Sequence, residues 1–173
     1  MLPVSTQTVV TGNGDANLLE VPHFGTTKSI PAWCVKQVEA AVKDFIKTSH
    51  LPQGIDAEGF YYQTLEAIAQ TTHLNGAGDF WLATCKGRVL VYGLAHIAKD
   101  LDQKLCYHIS QMWVAKEYRG SPIVKEWWEQ IRQRAKDLFC KHLVIVSSRS
   151  PKAYMRFLGH GMHPYAFMLK EEL

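Results

Sequence analysis

The sequence predicts an α+β domain with six to seven strands and about four helices, and three observations lead to that class. Two apolar runs, residues 80–85 and 89–98, flank Lys86-Gly87, which predicts two strands joined as a tight hairpin. A third apolar run, residues 107–115, ends in Glu117-Tyr118-Arg119-Gly120 and leads into an amphipathic stretch opened by Ser121-Pro122. Serine is a favoured N-cap and proline a favoured first helical residue, so a long helix starts there. Residues 142–147, His-Leu-Val-Ile-Val-Ser, form a short apolar run of the kind found in a buried strand.

The other elements follow in order. Residues 1–16 are nearly uncharged and rich in Thr, Val and Gly, and read as an extended N-terminal arm. Residues 17–173 read as a single domain. Residues 18–21 are a short first strand. Pro31 opens a helix to about residue 48, with Trp33, Val38, Ala41, Val42 and Phe45 on one face. Leu51-Pro52-Gln53-Gly54 is a turn, and Asp56 is the expected N-cap of a second helix reaching about residue 72. Phe60, Leu65 and Ile68 point inward on it. Asn75 to Gly78 is a loop, and a polar turn at 100–104 leads into the central strand. Strand alternation there puts His108, Ser110 and Met112 on one face and Tyr107, Ile109 and Gln111 on the other. In the long helix, Ile123, Val124, Trp127, Trp128, Ile131, Ala135, Leu138 and Phe139 keep a 3.6-residue period. Ser150-Pro151 starts a short helix to about residue 158, and residues 165–170 are a last strand.

Composition narrows the function classes. The chain has 173 residues, 47% of them hydrophobic, and five tryptophans, which excludes disorder. Its net charge of +3 gives nucleic acid little to bind. Arg132, Arg134 and Lys136 also spread around their helix rather than lining one stripe. Charge is polarised, however. Residues 116–156 hold ten Lys/Arg against four Asp/Glu, so the positive pole coincides with the strand–turn–helix unit. The four cysteines are scattered through apolar stretches and read as buried thiols, not disulfides or zinc ligands. His160 and His163 lack a nearby Cys or carboxylate, so no metal is expected. No run reaches the ~20 apolar residues of a membrane span, and residues 1–14 lack a signal-peptide pattern. A cytoplasmic protein, or a particle component assembled there, is expected.

The turn at Arg119, Gly120 and Ser121 carries the first chemical expectation. A strand, a tight turn and a helix start aim backbone N–H groups and the positive end of a helix dipole at one point, which suits a phosphate. An ordinary connecting turn gives the same pattern.

The order of elements, with Val114-Ala115-Lys116-Glu117-Tyr118-Arg119-Gly120-Ser121-Pro122-Ile123-Val124, resembles the GNAT family of N-acetyltransferases. The family's stretch reads V-x-P-x-[YF]-R-G-x-G-x-[GA]. Gly93 falls where the family often has a third-strand glycine. Ser150, Ala153, Arg156, Phe157, Gly161 and Met162 occupy the defined positions of the later N-x-x-A-x-x-[FL]-Y-x-x-x-G-F pattern, with Ala153 and Gly161 identical to it. The likeness covers residues 18–173. It implies an α/β/α-layered fold around a mixed, mostly antiparallel twisted sheet, acetyl-CoA as cofactor and a primary amine as acceptor. It further implies that Trp113 and Val114 offer backbone groups to the pantetheine, that Arg119, Gly120 and Ser121 hold the pyrophosphate, and that Ser150 also contacts the cofactor.

Departures from the pattern keep a second reading open. Pro122 and Val124 stand where the family has glycines, removing one N–H donor and crowding another. Phe157 replaces the family's general-acid tyrosine, which makes Tyr154 the candidate acid. No strand glutamate matches the general base, and His108 has the pKa range for that work. The alternative is a non-catalytic protein of the same shape. Met155-Arg156-Phe157-Leu158 is similar to a stretch of short GNAT-like bacteriophage proteins, some of them virion components. A protein partner, or a second copy engaged through the arm, belongs to that alternative.

Overall fold

The computed structural model describes residues 23–27, 30–49, 55–73 and 78–145. Five strands form one sheet in chain order: β1 (His23–Thr27), β2 (Gly78–Cys85), β3 (Arg88–Lys99), β4 (Leu105–Val114) and β5 (His142–Ile145). β1 to β4 pair antiparallel and β5 joins β4 in parallel, so the sheet is mixed. Helices α1 (Val35–Thr48) and α2 (Ala57–His73) pack on one face, and α3 (Pro122–Asp137) covers the other.

This is the expected layered α+β class with fewer elements. Among the described residues there are five strands, not six to seven, and three α-helices, not four. The expected helix at 150–158 and strand at 165–170 lie outside the described residues, as do the arm at 1–16 and the strand at 18–21. The first described strand is instead His23–Thr27, paired along the outer edge of β2.

Local chemistry explains most boundaries. The β2–β3 turn is Lys86-Gly87, both with positive φ (49° and 68°), the left-handed pair that matches strand twist in a two-residue hairpin. Asp56 caps α2 as expected, its carboxylate accepting from the Glu58 and Gly59 amides at 3.1 and 2.8 Å. Trp33 departs from expectation and is 53% exposed. It sits in a 3-10 turn, Ala32–Cys34, so the α-helical period that begins at Val35 does not govern it, and Cys34 turns inward instead. Trp81, Trp127 and Trp128 are buried, so Trp33 alone of the five is strongly exposed to a partner or solvent.

Each helix layer has its own apolar cluster. Val38, Ala41, Val42, Ile68, Phe80, Tyr92 and Leu94 pack on the α1–α2 side. Val124, Trp127, Trp128, Ile131 and Ala135 of α3 meet Trp81, Ala83, Leu90, Tyr107 and Ile109 on the other. Gly93 lets α3 approach. A Cβ at that position would stand 3.0 Å from the Trp127 ring. A partly buried polar network ties the same layer together. Arg134 grips Asp79 through Nε and Nη2 at 2.9 and 3.1 Å, Tyr107 donates to Asp79 at 2.6 Å, and Trp81 donates to Tyr107 at 2.8 Å. The four cysteines are free thiols, and burial pushes Cys34 up to about 11.

Candidate functional site

Strand β4 organises the site, and an irregularity sets which side chains face it. The β3–β4 ladder pairs Leu94 with Gln111 but Ala95 with Ile109, leaving Ser110 as an extra residue. Such a bulge reverses the alternation beyond it. Gln111 therefore joins His108 on the α1–α2 face, where it donates to Thr64 Oγ1 at 2.8 Å, while Met112 joins Tyr107 and Ile109 against α3. Strict alternation had put His108, Ser110 and Met112 together. The bulge overturns that grouping.

His108 is half-buried and faces His96 directly across the ladder. Its Nδ1 lies 3.1 Å from His96 Nε2, and the rings meet edge to face at 87°. Burial lowers both imidazoles below their ordinary value of 6.5, and on His108 the charge of His96 adds to the effect. Both are neutral at pH 7, the form that accepts a proton. The sign for stability follows. In the unfolded chain each ring takes up a proton near its ordinary 6.5, before the folded form does, so the pair's contribution is full above that pH and is lost as pH falls below it. We expect the urea midpoint to fall more between about pH 7.5 and 5.5 in the native chain than in a His96→Gln/His108→Gln variant.

At its far end β4 leads through a 3-10 turn, Lys116–Tyr118, into α3. Ser121 occupies the N-cap position and Pro122 the first helical one, as expected, but the Ser121 hydroxyl makes no cap bond and is buried without a partner. Gly120 has φ +80°, the left-handed region where a side chain would be strained. The Ser121 amide is taken by Tyr118 O at 3.0 Å and the Arg119 amide by Lys116 O at 3.4 Å. Among the described residues, the Gly120 and Ile123 amides have no hydrogen-bond partner. The open donors at this helix start are therefore Gly120 and Ile123, and the latter has no sequence signature beyond its place on the helix.

Two side chains close the turn toward α1. Trp113 stacks on Tyr92 at 17° and donates from Nε1 to Asp44 at 2.7 Å. Arg119 donates from Nε to Val114 O at 3.1 Å, and its Nη2 stands 3.7 Å from Asp44. Asp44 is thus the acceptor that holds both, a role invisible in the sequence. The Arg119–Asp44 pair is exposed and long, worth ~0–1 kcal/mol, so the guanidinium is easily drawn to a stronger anion. Tyr154 and Ser150 lie outside the described residues. The described structure brings Trp113, Val114, Arg119, Gly120 and Ser121 together at one end of β4 and sets His108 six residues back along the strand, about 20 Å at ~3.3 Å per residue.

Among the described residues no three His, Cys, Asp or Glu side chains group as a metal site. No described helix is long and apolar enough to cross a membrane.

Comparisons with known proteins agree on the fold. Among solved structures, a candidate acetyl transferase of Pyrococcus furiosus superposes with a TM-score of 0.63 at 17% identity, over 88% of this chain and 100% of that one. A Clostridium acetobutylicum acetyltransferase, so named by prediction and solved with acetyl-CoA, gives 0.60 at 12%, over 88% and 96%. Glucosamine-6-phosphate N-acetyltransferase of Arabidopsis thaliana gives 0.56 at 13%, over 88% and 99%. No curated protein sequence matches the chain. The family model for the GNAT acetyltransferases matches residues 42–160, which takes in α2, strands β2 to β5 and the whole β4–α3 turn. The chain belongs to the GNAT acetyltransferase family.

Proposed function

We propose that the protein transfers an acetyl group from acetyl-CoA to a primary amine. The observation that carries this reading is that one strand, β4, holds a half-buried neutral imidazole and ends in a turn with open amides and a loosely held arginine. The residues present fit the cofactor's anionic end in part. Gly120 and Ile123 supply amides and Arg119 a guanidinium, while Ser121 is already bonded and Pro122 has no N–H. The backbone of Trp113 and Val114 is where the pantetheine would lie. Val114 O, now bonded to Arg119, would be released when the guanidinium turns to the pyrophosphate.

Acetyl-CoA supplies the activated acetyl group. The chain's part is to align the amine with it, take one proton and exclude water. His108 takes the proton that the amine nitrogen loses, and Tyr154 returns one to the leaving sulfur. The test is release of CoA thiol from acetyl-CoA across a panel of polyamines, amino sugars and peptide N-termini. We expect release above hydrolysis with at least one acceptor. Background rates with every acceptor would contradict the reading.

One feature of the turn favours a second reading, a non-catalytic protein of this fold. The Val124 amide bonds to Ser121 O at 3.2 Å and the Ser121 amide to Tyr118 O at 3.0 Å, which leaves the anion site fewer free donors.

A further inference from the structure

We propose that His96 and His108 act as one proton-accepting unit, in which His96 is a positioning residue that fixes which nitrogen of His108 is free. The inference deepens the transferase reading and rests on it for its catalytic meaning, though its geometry stands alone. The two residues are 12 apart in sequence and opposed in register, with His108 Nδ1 3.1 Å from His96 Nε2 and ring centroids 4.7 Å apart. A contact of that length between imidazole nitrogens holds one proton. Two would clash there, and none would set lone pair against lone pair.

Two neutral rings carry two N–H protons. With one in the shared bond, one of the two outer nitrogens, His108 Nε2 or His96 Nδ1, bears the other, and the remaining one is the pair's single basic site. With the lone pair on His108 Nε2, the Nδ1–H of His108 donates to His96 Nε2, and His96 carries its proton on Nδ1. A proton lost by an ammonium nitrogen then joins His108 Nε2, which leaves the amine neutral and the pair with a charge of +1. That charge is spread across the shared bond. A second proton meets the first at 3.1 Å and is driven to lower pH.

Among the described residues, the neighbours leave the pair to itself. Thr64 of α2 is engaged with Gln111, Gly78 of β2 lies opposite His96, and Val144 of β5 lies opposite His108. Among the described residues no carboxylate, ammonium or guanidinium bonds to either ring. A carboxylate behind His108 would raise its pKa. A neutral imidazole in that place orients the ring and keeps it uncharged at pH 7, in line with the lowered values of both residues.

The test is a nitrogen NMR titration of the imidazoles in the full chain, without substrate. We expect two separated steps, with the first proton shifting resonances of both rings at once. In His96→Gln a single step should remain and His108 should keep its tautomer, because the amide oxygen accepts from the Nδ1–H. In His96→Phe that tautomer preference should be lost. Independent one-site curves for the two rings, with His108 unchanged in both variants, would overturn the proposal. Coupled steps in a protein that transfers no acetyl group would sustain the pair and sink the transferase reading. Independent titration in an active enzyme would do the reverse.

Discussion

Replacing His108 with glutamine is expected to lower kcat/KM for acetyl transfer by about 10²–10⁴-fold, the range for loss of a positioned general base. An amine attacks only as the free base, and at pH 7 most primary amines are protonated. On the proposed function, the neutral imidazole of His108 removes that proton at the point of reaction. Glutamine keeps the volume and a bonding group for His96 but cannot take the proton. Folding should be little changed, because His108 is only half-buried and outside both apolar clusters. The rate should also fall as pH drops through the pair's lowered values, since the protonated ring is no longer a base. A loss smaller than about tenfold, with the variant fully folded, would place the base elsewhere.

Trp127→Ala is expected to cost about 3–5 kcal/mol of stability, read as a lower urea midpoint. Trp127 is fully buried and is the side chain that fills the notch at Gly93. Its removal leaves a cavity between α3 and the sheet that a backbone held by neighbouring Trp128 and Ile131 cannot close. Its indole N–H is buried without a partner, so Trp127→Phe discards an unsatisfied donor and should cost much less than alanine. The reciprocal change, Gly93→Ala, must push the indole by a few tenths of an ångström and should destabilise by about 1–3 kcal/mol. Equal losses for Trp127→Phe and Trp127→Ala would mean that the outer indole ring against Gly93, whose reach Phe lacks, is what holds α3 in place.

Elements whose cause is local were legible in the sequence. Lys86-Gly87 makes its own left-handed turn, Asp56 caps its own helix, and the α3 stripe from Val124 to Ala135 needs only a 3.6-residue period. The turn that groups Arg119, Gly120 and Ser121 was legible too, because it is local. What escaped depends on register or long-range contact. The bulge at Ser110 leaves no residue signature, yet it decides that Gln111 rather than Met112 shares a face with His108. His96 becomes His108's partner only once β3 and β4 are aligned. Asp44 meets Trp113 and Arg119 because α1 crosses the end of β4, 69 residues away from Trp113. Trp33 lies in a 3-10 turn, where the helical period that would bury it does not apply.

The central claim is that the turn between β4 and α3 still holds acetyl-CoA despite Pro122 and Val124. The most direct measurement is calorimetric titration of the protein with acetyl-CoA, with desulfo-CoA and pyrophosphate as controls. Binding at or below ~100 μM, about −5.5 kcal/mol, weakened at least tenfold in Arg119→Ala, is the predicted result. No heat at millimolar acetyl-CoA would contradict it, and the bonded Ser121 and Val124 amides and the proline at the helix start would then mark a site that the fold has closed.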